Sequence, residues 1–194
     1  MADGVAGLVL AAGAGRRFGR PKALLRRGGS LFVEHAVDVL RSGGCAPVVV
    51  VLGAAAETVL ERADLNGART VHNEQWPTGM GSSLRLGLRR LNETPTEGTS
   101  AALILPVDMP GMTAAAVRRV AAHAAPDALA AACYGGERGH PVLLGRRHWD
   151  GVAERALGDR GARDYLRERT VTLVPCEDVA SGEDVDRPAD LDGG

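Results

Sequence analysis

Lysine is nearly missing from this 194-residue chain: of its 23 basic residues, Lys22 alone is a lysine and the other 22 are arginine. A solvated surface charge tolerates such drift, whereas a site that needs a compact, swinging ammonium does not, because a guanidinium is wide and planar. Aromatic residues are also scarce, at 3%, so Leu, Val and Ala have to fill the core. Three cysteines, Cys45, Cys133 and Cys176, lie far apart. They match neither a disulfide framework nor metal-site spacing, and are expected to be reduced and buried. No stretch approaches the roughly 18 unbroken apolar residues of a membrane span. The N-terminus lacks a basic segment ahead of an apolar one, since Asp3 and Gly4 come almost at once. With a net charge of -1 and no basic block, nothing marks a nucleic-acid binder. The expectation is a soluble, cytoplasmic protein with no membrane or nucleic-acid partner.

A content of 45% hydrophobic residues suffices for a core at this length. Short apolar runs alternate with helical patterns. Strands are expected at Val5–Ala11, Pro47–Leu52, Ala68–Val71, Ala101–Pro106, Ala128–Tyr134, Pro141–Leu144 and Thr170–Pro175. Helices are expected at Leu31–Arg41, capped by Ser30, and at Ala54–Asp64 and Ser82–Leu91. Further helices follow from Thr113 to about Ala125, near His148–Ala156 and at Ala162–Arg169. Such alternation gives an α/β sandwich around a mostly parallel sheet, in one domain. Ligands of these sheets bind beyond the carboxyl ends of the strands. That rim would carry residues 12–22, 73–83 and 108–110.

Lys22 sits in a loop rich in glycine and cations that directly follows the first strand: Leu10, Ala11, Ala12, Gly13, Ala14, Gly15, Arg16, Arg17, Phe18, Gly19, Arg20, Pro21, Lys22. Its glycines read G-x-G-x-x-x-G, one residue too long for a dinucleotide fingerprint. The second strand ends at Leu52 and Gly53 without the acid that would hold a ribose. A Walker A loop fails as well, because Ala23 follows Lys22. A dehydrogenase is further disfavoured by the missing Y-x-x-x-K, since Arg138 and Arg169 stand four residues after Tyr134 and Tyr165. What remains is a loop whose backbone N–H groups can approach phosphate oxygens while its cations neutralise a triphosphate and its leaving pyrophosphate.

L-A-A-G-x-G-R-R-x-G-x-P-K resembles the signature of nucleotidyltransferases that move NMP from an NTP onto a phosphorylated acceptor. Residues 73–83 resemble the N-x-x-W-x-x-G-M-G-S-S segment found in the molybdenum cofactor cytidylyltransferase branch of the MobA-like NTP transferases. Pro106 to Pro110 resemble its P-x-D-M-P, Gly139 to Val142 its G-H-P-V, and Gly158 to Arg163 its G-D-x-G-A-R. Asp184 to Leu191 resemble D-I-D-T-P-E-D-L, with departures at Arg187 and Ala189. These motifs run in order over nearly the whole chain.

The resemblance implies a three-layer α/β/α, Rossmann-like fold of the nucleotide-diphospho-sugar transferase type. Its nucleotide-binding half would span about 1–110 and its acceptor-binding half about 111–194. It implies a magnesium-dependent transfer of CMP from CTP to a molybdopterin-type cofactor, with a molybdoenzyme apoprotein as a further partner. Arg16 and Lys22 would be catalytic. The nucleotide would be bound by Leu10, Ala11, Ala12, Gly13, Gly15, Arg16, Lys22, Gly79, Met80, Gly81, Ser82, Ser83 and Asp108. Asp108 and Asp186 would hold Mg²⁺, and His140, Asp159 and Arg163 would meet the acceptor.

Each residue also has a plainer role open to it. Asp108 could cap a helix or pair with an arginine, and Asp186 could be a solvated acid. Ser82 and Ser83 could simply start a helix, His140 could fill a turn, and Trp76 could pack its loop and not stack on a ring. Guanylyl transfer, transfer to a sugar or alditol phosphate, and a non-catalytic chaperone for nucleotide or cofactor are the alternatives.

Overall fold

A computed structural model describes residues 4–93 and 98–187. In the first half, β1 (Gly4–Ala11) leads through the short pair β2 (Arg26–Arg27) and β3 (Ser30–Leu31) into α1 (Phe32–Ser42). β4 (Val48–Leu52), α2 (Ala56–Arg62), β5 (Arg69–His72), α3 (Met80–Glu93) and β6 (Thr99–Pro106) follow. The second half comprises α4 (Ala114–Ala121), β7 (Leu129–Tyr134), β8 (Glu137–Gly145), α5 (Trp149–Arg155), α6 (Arg163–Arg167) and β9 (Thr172–Pro175).

Seven strands form one sheet in the order β5-β4-β1-β6-β8-β7-β9. β8 alone runs against its neighbours β6 and β7; the other pairings are parallel. The strand period of two decides which side chain faces which layer. Val5, Val9 and Ala11 of β1 enter a core with Val33, Val37 and Leu40 of α1 and Val117 and Val120 of α4. Ala6, Leu8 and Leu10 enter the opposite core, with Leu84 and Leu88 of α3, Trp149 of α5 and Leu166 of α6. Because the central strands are covered on both faces, they read as unbroken apolar runs such as Val48 to Leu52, all buried. The result is the α/β/α sandwich expected. No described helix is long and apolar enough to cross a membrane.

Several boundaries differ from the sequence reading for local reasons. Ser30 does not cap α1. Gly28 and Gly29, at φ +57° and +92°, make a tight turn that pairs Ser30 with Arg27 in the short ladder. Leu31 is the N-cap residue instead, and its N–H donates to the Glu34 carboxylate at 2.6 Å. Thr113 does cap α4, accepting from the Ala116 N–H. α3 begins two residues earlier than expected, at Met80, and α4 stops at Ala121. β8 is longer than Pro141–Leu144, because it turns back on β7 as a hairpin.

α3 lies on β1 at close range. A Cβ placed on Gly87 would stand 2.5 Å from the Leu8 Cδ1, and Leu8 is fully buried. Gly87→Ala should therefore lower unfolding free energy by about 1–3 kcal/mol, despite the better helix propensity of alanine. Denaturant melts of a double-mutant cycle with Leu8→Ala check the cause: the Gly87→Ala cost should shrink once the leucine is trimmed. An equal cost in both backgrounds would rule out this contact as its source.

Candidate active site

The loop after β1 is shaped by Gly15. Its φ is +62°, and a Cβ there would lie 1.8 Å from the Arg20 carbonyl oxygen. Its own carbonyl accepts from the N–H groups of Phe18 and Gly19. The turn drives Phe18 into a small cluster with Leu25, Phe32 and Val185, leaving Arg16 and Arg17 exposed on the outer side. Val185 belongs to the C-terminal segment that runs along the loop following β6. The Thr113 hydroxyl donates to the Val179 carbonyl, the Ser181 N–H to that of Gly111, and the Val185 N–H to that of Asp108 at 2.9 Å. With Val185 turned inward, its neighbours Asp184 and Asp186 are presented beside Asp108.

Lys22 follows Pro21 in a single 3-10 turn and reaches both acidic segments. Its ammonium donates to Asp108 Oδ2 and to Asp186 Oδ1, each at 2.7 Å. Burial alone would depress the lysine pKa, but the hydrogen bonds to Asp108 and Asp186 outweigh it and raise the value. The hydrogen bond from Lys22 holds the Asp186 carboxyl below its ordinary range, and Arg17, 3.9 Å away, adds to this. Oxygens of Asp108, Asp184 and Asp186 all lie within 4.8 Å of one another. This donor set suits a hard divalent cation, which prefers carboxylate oxygens.

Two cavities meet at this point. The first, of about 370 Å³, is lined by the glycine loop from Ala12 to Arg17, by Lys22, and by Trp76, Gly79, Met80 and Ser83. The second, of about 400 Å³, is lined by Arg138, His140, Arg160, Arg163 and Asp184 among others. Leu10, Met80, Pro106, Asp108 and Asp159 border both. Asp186 faces only the first cavity and Asp184 only the second.

Most residues singled out from the sequence gather here: Leu10, Ala12, Gly13, Gly15, Arg16, Lys22, Gly79, Met80, Ser83, Asp108 and Asp186 line the first cavity, and His140, Asp159 and Arg163 the second. Ala11, Gly81 and Ser82 are not among its lining residues. Ala11 points into the core on the other face of β1. Gly81 is a packing residue, since a Cβ there would stand 2.4 Å from the Ala156 carbonyl oxygen. Ser82 braces the loop before α3: its hydroxyl sits 3.0 Å from the Gln75 carbonyl and 2.8 Å from that of Gly79, and it accepts from Asn73. Asn73 is 3% exposed and also donates to Ser83 while accepting from the Gln75 N–H. Trp76 takes the packing role, against the α3-side core, and also lines the cavity. Pro188 to Leu191, the end of the last motif, lie outside the described residues.

The sequence motifs include Asn73, Arg160 and Asp184 without assigning them a site role, and Arg138 stands outside them. Asp184 had a usable signal, because Asp184, Val185 and Asp186 alternate acid, apolar, acid, and a buried centre puts both acids outward. Arg138 and Arg160 had none in a chain with so many arginines.

His140 is held neutral. Burial first, then Arg163 and Arg138, push its pKa down to about 4, against the opposing pull of Asp184. An unfolded chain takes up this proton near the ordinary pKa of 6.5, so stability contributed by the neutral ring is lost as pH falls from there toward 4. The loss between pH 7 and pH 5 should be on the order of 1–2 kcal/mol. Urea melts of His140→Gln should show a flatter pH dependence than the parent over that window. Identical slopes would mean that His140 titrates normally.

Comparison with known proteins agrees with this geometry. The family model described as the MobA-like NTP transferase domain matches residues 7–173. The chain is 40% identical over 192 residues to nicotine blue oxidoreductase of Paenarthrobacter nicotinovorans, covering 94% of this chain and 92% of that protein. It is 34% identical over 114 residues to a probable molybdenum cofactor guanylyltransferase of Opitutus terrae, covering 59% of this chain and 52% of the relative. Among solved structures, an Rv0371c homologue from Mycobacterium sp. strain JC1 superposes with a TM-score of 0.82 at 30% identity, covering 97% and 93% of the two chains. A manganese complex of Rv0371c from Mycobacterium tuberculosis superposes at 0.72 with 25% identity, covering 89% and 88%. A glycine loop after the first strand, a lysine drawn onto two acids and a model match over most of the length have one common explanation: the chain belongs to the MobA-like NTP transferase family.

Proposed function

We propose that this protein transfers CMP from CTP to the terminal phosphate of a molybdopterin-type acceptor, releasing pyrophosphate, with Mg²⁺ held by Asp108 and Asp186. The observation that carries this reading is the convergence of Lys22, Asp108 and Asp186 where the two cavities meet. A triphosphate laid along the glycine loop would bring its α-phosphorus to that junction. The acceptor phosphate would enter from the cavity lined by arginines. An oxygen of that phosphate attacks the α-phosphorus, the bond to the bridging oxygen breaks, and its electron pair leaves with pyrophosphate. The chain supplies placement and charge neutralisation and needs no nucleophile of its own. Arg16 and Lys22 would balance the charge on the triphosphate and the departing pyrophosphate.

The ion has a fitting site. Three carboxylates converge within 4.8 Å, and the positive charge of Lys22 already rests between two of them. The manganese complex of the mycobacterial relative is a further support. A bound divalent ion would screen the α-phosphate oxygens against the incoming anion. For the acceptor, support comes from the relative named a molybdenum cofactor guanylyltransferase. That name also makes GTP the competing donor. The reading of CTP rests on the likeness of Gly79 to Ser83 and of Gly139 to Val142 to the cytidylyl branch. A molybdoenzyme apoprotein would receive the product.

A second reading has its own support in the relative named nicotine blue oxidoreductase. On that reading the glycine loop would hold a nicotinamide dinucleotide, which would reduce an acceptor in the second cavity. Hydride transfer has no need of three converging carboxylates, however, and the loop departs from the dinucleotide fingerprint by one residue.

One set of assays separates the two. With Mg²⁺ and a molybdopterin-type acceptor, pyrophosphate release should be fastest with CTP among the four NTPs. It should fall about a hundredfold or more in Lys22→Ala, with partial recovery in Lys22→Arg. A preference for GTP would move the protein to the guanylyl branch. Oxidation of NADH or NADPH with nicotine blue, and no pyrophosphate from any NTP, would replace the first reading with the second.

A further inference from the structure

Resting on the reading of Asp108 and Asp186 as the ion's ligands, we infer that Lys22 is an internal cation that keeps those ligands closed until a nucleotide arrives. The ion and the nucleotide therefore bind as a coupled pair. The ammonium takes one oxygen from each carboxylate at 2.7 Å. A magnesium ion would draw on the same carboxylate oxygens. It would then lie within a few ångströms of Nζ, where a single and a double positive charge repel strongly in a partly desolvated setting. The ion and the lysine therefore compete for these oxygens.

Lys22 cannot leave freely. Its side chain is 16% exposed, and withdrawing it would strand a half-buried ammonium without a counter-charge, which is costly. A triphosphate removes this obstacle, because Lys22 lines the same cavity as the glycine loop. Phosphate oxygens give the ammonium a new partner, and the carboxylates are released to the ion. Arg17 cannot serve as the bolt. It stands 3.9 Å from Asp186 and is 83% exposed, so moving it costs little.

The same device accounts for the single lysine in an arginine-rich chain. A point charge with three rotatable donors can bridge two carboxylates from unrelated segments and then swing to a phosphate, whereas a rigid planar fork fixes one orientation. By linkage, whatever factor the nucleotide adds to ion affinity, the ion must add to nucleotide affinity.

The test measures Mn²⁺ binding to the nucleotide-free protein, by calorimetry and by the paramagnetic resonance of free ion. Lys22→Met keeps the length and removes the charge. It should bind Mn²⁺ about tenfold or more tightly than the parent, and adding Asp108→Asn should erase the gain. Unchanged or weaker binding in Lys22→Met would overturn the inference. A second readout needs no variant. As Lys22 is the only lysine, protein labelled with ¹⁵N,¹³C-lysine gives one side-chain ammonium signal. That signal should stay in place with millimolar Mg²⁺ alone and move when a non-hydrolysable CTP analogue is added with Mg²⁺. Full movement with Mg²⁺ alone would contradict the inference. Neither readout uses turnover, so an active transferase can fail this test and a protein without transferase activity can pass it.

Discussion

Everything at this site depends on holding two carboxylates from distant parts of the chain at one point. Asp108 sits just past β6, and Asp186 arrives from a segment without regular structure nearly eighty residues later. Two like charges brought together repel, and an irregular segment has no ladder to fix it. The molecule answers both problems with apolar and backbone contacts. Val185 is 4% exposed against Phe18, Leu25 and Phe32, and its N–H is tied to the Asp108 carbonyl. Lys22 then bridges the pair and offsets one of its two negative charges. Because Phe18 lies in the glycine loop, one small cluster sets the distance between the phosphate cradle and the acids. Chemistry at the rim therefore leans on packing beneath it.

The two cavities extend this arrangement. Asp108 borders both, Asp186 only the one beside the glycine loop and Asp184 only the one lined by arginines. Gly79 helps to make the boundary. Its φ is +111°, and a Cβ there would lie 2.4 Å from the Gly158 carbonyl carbon, so the loop before α3 can press against the turn carrying Asp159. A junction of this kind suits a reaction in which two anions meet. The relative named an oxidoreductase is a reminder that one fold hosts different chemistries. The assignment to nucleotidyl transfer thus rests on the acids and the lysine and not on the sandwich.

Much of this was legible in the sequence. The buried parallel strands announced themselves as Val48 to Leu52 and Ala101 to Pro106, because a strand covered on both faces has no polar period to obscure it. The glycine loop was legible because Lys22 broke a compositional habit. Less visible were contacts that depend on tertiary placement. Ser82 looked like a ligand residue, yet Asn73 claims it, and no local pattern ties the residue after β5 to the first turn of α3. Ser30 looked like a helix cap, but two glycines earlier in the chain had already committed it to a hairpin. The reversed direction of β8 follows from its pairing with both β6 and β7, which spacing alone does not encode. Arg138 and Arg160 were hidden by the abundance of arginine.

The central claim is that a nucleotide's α-phosphorus reacts where Lys22, Asp108 and Asp186 converge. Incubation of the Mg²⁺-supplemented protein with [α-³²P]CTP and a molybdopterin-type acceptor addresses it most directly. The account predicts that the label moves onto the acceptor, one atom for each pyrophosphate released, and that Asp108→Asn stops both together. Label that stays in the nucleotide pool while the acceptor is consumed would contradict it.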